Sequence, residues 1–433
     1  MDIIPTVRST LEILDVAYVI KPLILADTQS EPLEAMPTRT EAPPTKVLLW
    51  SPTGSCEGRY GGPCTYSARL YAASSRDNHS VTLAHGVKDH PIWPLFQEQQ
   101  LVYPLHPRPN RMKQMMFIRS ATQWIDQRYR DFDIIHAVTA FHFSLAPAVV
   151  AKRRGLPAVV VIANAGVELS DKGLLHQISG LARTRRRWIC DMDAVICLSS
   201  DIVNEVRALG VPERAIQQIP NQCDVLRFRP SASECETSEA RITLGWPNRW
   251  TALLVGELVP RKRPHLVIEA IHQMTKLGLD VQAALVGPFN DLAYAANLMD
   301  MAKQLNVQER IIFDTNNRQV ELAYRGSNAF CLPSLNEGMP GSLIEAAASG
   351  LPAVVTTFSG AKECVHEART GFILAEGDRL AERIAEGFCA IHDSPQLARN
   401  YGRAARTHAV CCFSSDATWA AHESLFNRLI RGG

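Results

Sequence analysis

The segment Ala329-Phe-Cys-Leu-Pro-Ser-Leu-Asn-Glu-Gly-Met-Pro-Gly-Ser-Leu-Ile-Glu-Ala-Ala-Ala-Ser-Gly-Leu-Pro-Ala-Val-Val355 reads as strand, loop, helix and strand in direct succession. Pro340 suits the first helical position, because the amide proton it lacks would go unpaired there anyway. Gly350 and Pro352 then stop the helix before the next strand. A strand that passes through a helix into a second strand implies a parallel sheet covered by helices. The same alternation of apolar runs with amphipathic stretches recurs at Lys46–Trp50, Asp133–His136, Ala158–Ile162, Ala194–Leu198, Ala252–Val255, Gln282–Val286, Arg310–Phe313 and Ala353–Thr356.

A chain of 433 residues exceeds what one hydrophobic core usually supports. With 46% hydrophobic and 21% charged residues it can fill two cores, which excludes a collagen-like or wholly disordered chain. The hydrophobic period lapses over Ser231-Ala-Ser-Glu-Cys-Glu-Thr-Ser-Glu-Ala240, and the interdomain linker is placed there. The expected organisation is an extension over residues 1–45, one α/β domain over 46–230, a second over 241–410, and a C-terminal helix over 411–433 packing back towards the first domain. The Pro-, Thr- and Glu-rich stretch from Ala26 to Lys46 has the composition of a solvated tether. Two doubly wound Rossmann-like domains facing each other across a cleft are implied.

A formal net charge of +1 offers no overall field for nucleic acid, so an anionic partner must be held by a local cluster. The eleven cysteines include no Cys-x-x-Cys pair, and Cys197 and Cys331 sit inside strand-like runs, as small buried hydrophobes of a reducing compartment do. Asp2, Glu12, Asp15 and Lys21 interrupt the apolar stretches at the start, unlike a secretory signal. The expectation is a cytoplasmic protein, with attachment to the inner face of the cell membrane left open.

The helix within 329–355 starts at the carboxyl end of a strand, where open α/β sheets bind ligands and where free amides attract phosphate. Gly338 and Gly341 let backbone come close to a ligand, Glu337 stands in the loop, and Glu345 lies one to two turns into the helix. The two carboxylates therefore face different parts of one ligand, and a sugar and a ribose would suit them. A second strand-loop-helix, Leu253-Leu-Val-Gly-Glu-Leu-Val-Pro-Arg-Lys-Arg-Pro264, brings Arg261, Lys262 and Arg263 to its mouth, where they can neutralise a diphosphate.

These two elements resemble glycosyltransferase family 4, whose signature places two glutamates eight positions apart, as Glu337 and Glu345 are. The likeness extends to Ile219-Pro-Asn-Gln-Cys-Asp-Val-Leu-Arg-Phe-Arg-Pro230, similar to the family's stretch leaving the first domain, and to the glycine turn Tyr60-Gly-Gly-Pro63. It implies the two-domain GT-B fold and a retaining, hexosyltransferase-type activity moving a sugar from a nucleotide diphosphate sugar to a glycan or lipid-linked acceptor. Polysaccharide or cell-envelope glycan synthesis is the usual setting. By position, Glu337 would face the sugar and Lys262, with Arg261, would grip the diphosphate. Gly338, Met339, Pro340, Gly341 and Ser342 would line the donor, Glu345 would hold the ribose, and Gly62 would approach from the opposite domain.

Two departures follow from the same alignment. Glu257 stands where the family usually carries an arginine, so either Arg261 or Arg263 supplies that charge or Glu257 pairs with one of them. No histidine follows the strand Val159-Val-Val-Ile-Ala-Asn164, which leaves Asn164, the polar stretch from Gly166 to Lys172, and His136 as acceptor-side candidates. Asp131-Phe-Asp133 and Asp191-Met-Asp193 look like metal pairs, but both precede strands at the end away from a nucleotide site, so neither a metal nor another cofactor is expected. A dinucleotide-dependent oxidoreductase is disfavoured, because Gly58, Gly61 and Gly62 lack the Gly-x-Gly-x-x-Gly spacing. A catalytically degenerate sugar-nucleotide binder of the same fold stays open. Arg111–Arg130 and Leu181–Trp188 mix cations with Met and Trp, so each suits either an anionic membrane surface or a solvated helix face.

Overall fold

The computed structural model describes residues 44–52, 62–74, 79–86, 98–101, 111–164, 166, 168–169, 181–316 and 319–432. The expected N-terminal extension falls outside them but for residues 44 and 45; Tyr60 and Gly61 lie outside as well. The first sheet holds β1 (Thr45–Trp50), β2 (His79–His85), β3 (Glu98–Leu101), β4 (Ile134–Val138), β5 (Ala158–Ile162), β6 (Ala194–Cys197) and β7 (Ile216–Gln218) in the order β3-β2-β1-β4-β5-β6-β7. The second holds β8 (Trp250–Val255), β9 (Val281–Val286), β10 (Ile311–Asp314), β11 (Ala329–Leu332), β12 (Ala353–Thr356) and β13 (Gly371–Leu374) in the order β10-β9-β8-β11-β12-β13. Neighbouring strands are parallel throughout. Strands such as Ala158–Ile162 are buried along their whole length, which is why they read as unbroken apolar runs.

In each sheet the chain first steps outwards one way and then the other. The order therefore reverses between β1 and β4 and between β8 and β11, and a crevice opens beyond the carboxyl ends of those strands. The aspartate pairs sit at the other end, where one member of each serves the backbone. Asp133 accepts the Lys46 N–H at 2.7 Å, and Asp193 accepts the Ala158 N–H at 2.9 Å together with the Lys152 ammonium at 2.8 Å.

The stretch expected to be a linker is instead the helix Glu234–Thr243. Ser233 accepts the Glu236 N–H at 3.2 Å while Glu236 reaches back to the Ala232 N–H at 2.6 Å, a reciprocal cap that its Ser-x-x-Glu spacing encodes. The chain crosses between the sheets before this helix, between β7 and Ser233, and returns near Phe413. There the Cys223 N–H donates to the Phe413 carbonyl at 2.7 Å and the Ser415 N–H to the Cys223 carbonyl at 3.1 Å. The cysteines divide: Cys197, Cys223, Cys331 and Cys364 are buried, whereas Cys235, Cys411 and Cys412 are exposed, contrary to a uniformly buried set.

The last helix, Ser415–Arg431, packs on the helix Gly62–Ser74 of the first domain. Tyr66 Oη lies 2.7 Å from His422 Nε2, and Tyr71 Oη lies 2.7 Å from His136 Nδ1. Trp419 and Phe426 close the cluster by edge contacts. His136 is therefore a core residue inside β4, wholly buried, and the acceptor-side role expected of it is withdrawn.

Burial disfavours the imidazolium of both histidines, holding His136 well below the ordinary range and His422 down at about 4. A histidine whose folded pKa is depressed stabilises the fold above its unfolded value and loses that contribution as pH falls towards the folded one. His422 should take about 1.4 kcal/mol of stability per pH unit from the fold as pH falls from about 6 towards 4. His422→Phe should flatten that slope in thermal scans, and an unchanged slope would exclude the histidine as its source.

Candidate functional site

Two loops line the crevice between β8 and β11. The first leaves β8 at Gly256 and ends at Arg263; the second leaves β11 at Pro333 and feeds the helix Gly341–Ala348. Gly256 has φ +138°, and a Cβ there would stand 2.8 Å from Lys262 Nζ, so the missing side chain makes room for the lysine to fold back across the strand end. Lys262 is thereby 8% exposed despite its charge.

That charge is matched from the second loop. Glu337 Oε1 lies 3.2 Å from Lys262 Nζ and 2.8 Å from Arg261 Nη1, and it accepts the Ser334 hydroxyl at 2.9 Å. Arg261 also donates to the Asn336 carbonyl, and the Leu335 N–H donates to the Arg261 carbonyl at 2.9 Å, which stitches the loops together. Arg263 turns away to Glu376 at 2.6 Å and to the Pro333 carbonyl at 2.5 Å, holding the Glu376 carboxyl below the usual range. Glu257 accepts the Asn290 side-chain amide. Of the alternatives at position 257, the pairing of Glu257 with Arg261 or Arg263 is not found: Arg261 joins Lys262 on Glu337 instead.

Glu345 is buried in the second turn of its helix. Its carboxylate accepts the Tyr324 hydroxyl at 2.7 Å and meets Arg69 Nη2 at 2.6 Å. Arg69 comes from the helix Gly62–Ser74 of the opposite domain, and its Nη1 lies 3.6 Å from where a Cβ on Gly341 would stand. Neither Arg69 nor Tyr324 was identified from the sequence, since a single arginine or tyrosine in an amphipathic helix carries no distinguishing spacing.

The halves meet at Gly338. A Cβ there would stand 1.8 Å from the Ala163 carbonyl oxygen and 3.0 Å from Asn164 Cα, so only glycine fits against the end of β5. Gly360, at φ +80°, lies behind it, where a Cβ would come 2.6 Å from the Gly338 carbonyl oxygen. Asn221 Nδ2 donates to the Met339 carbonyl at 2.9 Å, tying the interdomain crossing to the same loop. Ser199 and Ser359 hydroxyls meet at 2.7 Å, and Ser200 donates through N–H and hydroxyl to Glu363 at 2.7 and 2.6 Å.

The structure thus gathers Glu337, Lys262, Arg261, Glu345 and the run from Gly338 to Ser342 at one crevice, with Asn164 across from Gly338. Gly62 opens the helix that carries Arg69. From the stretch expected to line an acceptor pocket, Glu168 is instead turned inwards and wholly buried behind Asn164. Among the described residues no group of three or more His, Cys, Asp or Glu side chains could hold a metal ion. A hollow of about 650 Å3, lined by His265, Glu269, His272, Glu376 and Arg379 among others, shares Arg263 alone with the two loops.

Residues 237–408 match the family described as Glycosyl transferases group 1, and residues 61–222 match the Glycosyl transferase 4-like domain. The chain is 24% identical over 322 residues to a D-inositol 3-phosphate glycosyltransferase of Streptomyces avermitilis, covering 66% of this chain and 64% of that protein. It is 28% identical over 204 residues to a UDP-Gal:alpha-D-GlcNAc-diphosphoundecaprenol alpha-1,3-galactosyltransferase of Escherichia coli, covering 46% and 49%. The chain thus spans less than two thirds of either relative. Anabaena Alr3699/HepE, solved with UDP and glucose, superposes with a TM-score of 0.71 at 19% identity, covering 88% of this chain and 99% of that one. A sucrose-phosphate synthase of Thermosynechococcus elongatus gives 0.74 at 18%, covering 90% and 100%. The fold is therefore GT-B.

Gly338→Ala should force the β11 loop off β5 and cost about 1–3 kcal/mol, the usual penalty for overpacking. Thermal unfolding measures it, and an unchanged midpoint would mean that Gly338 and Ala163 do not touch in solution.

Proposed function

We propose that the chain moves a sugar from a nucleotide diphosphate sugar to a glycan or lipid-linked acceptor, retaining anomeric configuration and needing no metal, a reading supported by its matches to the glycosyl transferase 4-like and glycosyl transferases group 1 families. The observation that carries this reading is the pairing of Glu337 with Lys262 and Arg261 at the carboxyl ends of β8 and β11.

Cleavage of the glycosyl–phosphate bond puts oxocarbenium character on the anomeric carbon and negative charge on the departing diphosphate. Lys262, which is buried, Arg261 at the more exposed rim and the amides that open the helix Gly341–Ala348 can stabilise that charge, the task a divalent metal performs elsewhere. Arrival of the diphosphate lets the two cations exchange part of their attraction to Glu337 for the leaving group. The carboxylate is then left beside the electron-poor sugar. Glu345, held by Arg69 and Tyr324, keeps lone pairs for ribose hydroxyls, since a carboxylate accepts about four hydrogen bonds. The acceptor enters from the Asn164 side, attacking the face that the diphosphate leaves.

A cytoplasmic protein resting on the inner membrane face is part of the same reading. No helix of the described residues is long and apolar enough to cross a membrane. The helix Arg111–Arg128 exposes Met112, Met115 and Met116 beside Lys113 and Arg119, and the helix Leu181–Cys190 exposes Arg183, Arg186 and Arg187. Apolar side chains among cations suit anionic lipid.

Calorimetry against a panel of nucleotide sugars, with and without EDTA, should find one donor bound equally well in both; absence of any binding would sink the proposal. With that donor, Glu337→Ala should keep its fold and lose turnover by about 100-fold or more, whereas Lys262→Ala should weaken donor binding and turnover together. The protein should also sediment with anionic liposomes at low salt and remain in the supernatant with neutral ones, and recovery from the supernatant in both cases would remove the membrane from this reading.

A further inference from the structure

Behind Asn164, Glu168 is completely buried, and no cation among the described residues pairs with it. Its Oε1 accepts the N–H groups of Ala163 at 2.9 Å and Asn164 at 3.0 Å, and its Oε2 accepts the Ala140 N–H at 2.7 Å. The Asn164 side chain adds a fourth donor. Ala140 lies just past β4 and Ala163 and Asn164 just past β5, so one side chain ties together the carboxyl ends of two neighbouring parallel strands.

Two further observations fall on the same spot. Thr139, the residue before Ala140, has φ +72°, a left-handed conformation that a β-branched residue rarely adopts and that costs about 1–3 kcal/mol. Its hydroxyl is held 2.8 Å from that of Ser144. The Ala163 carbonyl is the group on which Gly338 closes. Stability alone does not account for such an arrangement, because a buried charge replaced by an apolar side chain of similar volume is often neutral or stabilising.

We propose that Glu168 is a positioning residue for sugar transfer: as a carboxylate it fixes the ends of β4 and β5, so that the first-domain side of the cleft meets the Glu337 loop in register. The carboxylate takes four donors, and a protonated acid, with an O–H of its own to place, cannot satisfy them equally. Burial pushes the carboxyl up to about 7 while the four hydrogen bonds pull it down, and no other titratable side chain among the described residues contributes to that shift. With the folded value above the unfolded one, Glu168 stabilises the fold when protonated and gives up that contribution as pH rises through about 7. Positioning runs the opposite way, present above about 7 and lost below.

The inference rests on the donor–acceptor reading for its kinetic arm. With the nucleotide sugar found by calorimetry, kcat of the full chain should fall about tenfold per pH unit below about 7 while nucleotide affinity stays within about twofold. Glu168→Gln should lower kcat about tenfold or more, flatten the pH profile and leave nucleotide affinity unchanged. A Gln variant with the wild-type kcat and profile overturns the proposal. Should that variant fail to fold, hydrogen exchange of wild-type peptides spanning 134–164, corrected for intrinsic rates, decides. Protection of the Ala140, Ala163 and Asn164 amides lost between about pH 8 and 6 supports the clamp, and constant or rising protection overturns it. A chain that binds no nucleotide sugar sinks the transferase reading and leaves the exchange arm to judge Glu168 alone.

Discussion

At Gly338 the two halves of the chain touch backbone against backbone, with no room for a methyl group. The contact sets where everything else in the cleft stands. It brings the loop holding Glu337 to within a carbonyl's width of β5, with Gly360 leaving space behind that loop, while Gly256 separately leaves space under Lys262. Glycine costs conformational entropy on folding, and the return here is a close approach that no side chain could tolerate. Around this point the ion pairs find their geometry: Arg261 and Lys262 from one loop, Glu337 from the next, and Arg69 from the far domain.

Charge in the cleft is managed in two different ways. Glu337 and Glu345 are each held by cations at 2.6 to 3.2 Å, an arrangement that a charged ligand can enter by exchanging partners at modest cost. Glu168, deeper and with no cation on it among the described residues, accepts amides from the ends of β4 and β5. Burial raises the Glu168 carboxyl against the pull of those amides. The first kind of site suits binding, and the second suits holding a shape.

Legibility in the sequence follows the same physics. Strands such as Ala158–Ile162 and Ala329–Leu332 announce themselves because both faces are buried and every residue must be apolar. By contrast β3, Glu98-Gln-Gln-Leu101, lies at a sheet edge and β7 is three residues long, so neither produces a run worth reading. The Glu337–Glu345 spacing and the Arg261–Arg263 cluster were visible because one loop encodes each of them. Arg69, Tyr324 and Glu168 were not, because each acquires its role from a partner far off in the chain or from backbone amides that have no sequence signature. His136 misled for the reciprocal reason: a histidine near a strand end is ambiguous until its neighbours Tyr71, His422 and Phe426 are in place. The supposed linker misled because its Ser-x-x-Glu cap was outweighed by its polar composition.

The two chain crossings decide how such a cleft is held. Gln218 to Ser233 passes outwards and Phe413 to Ser415 passes back, and the strands of chain are joined to each other through both backbone groups of Cys223. Arg406 adds its guanidinium to the carbonyls of Val225, Phe228 and Ala348, at 2.8 to 2.9 Å, so the outward crossing is also fastened to the end of the helix that carries Glu345. Asn221, two residues from Cys223, holds the carbonyl of Met339 next to Gly338. The crossing, the end of the Glu345 helix and the loop that closes on Ala163 are therefore bound into one set of hydrogen bonds, which fixes where Glu337 stands relative to β5.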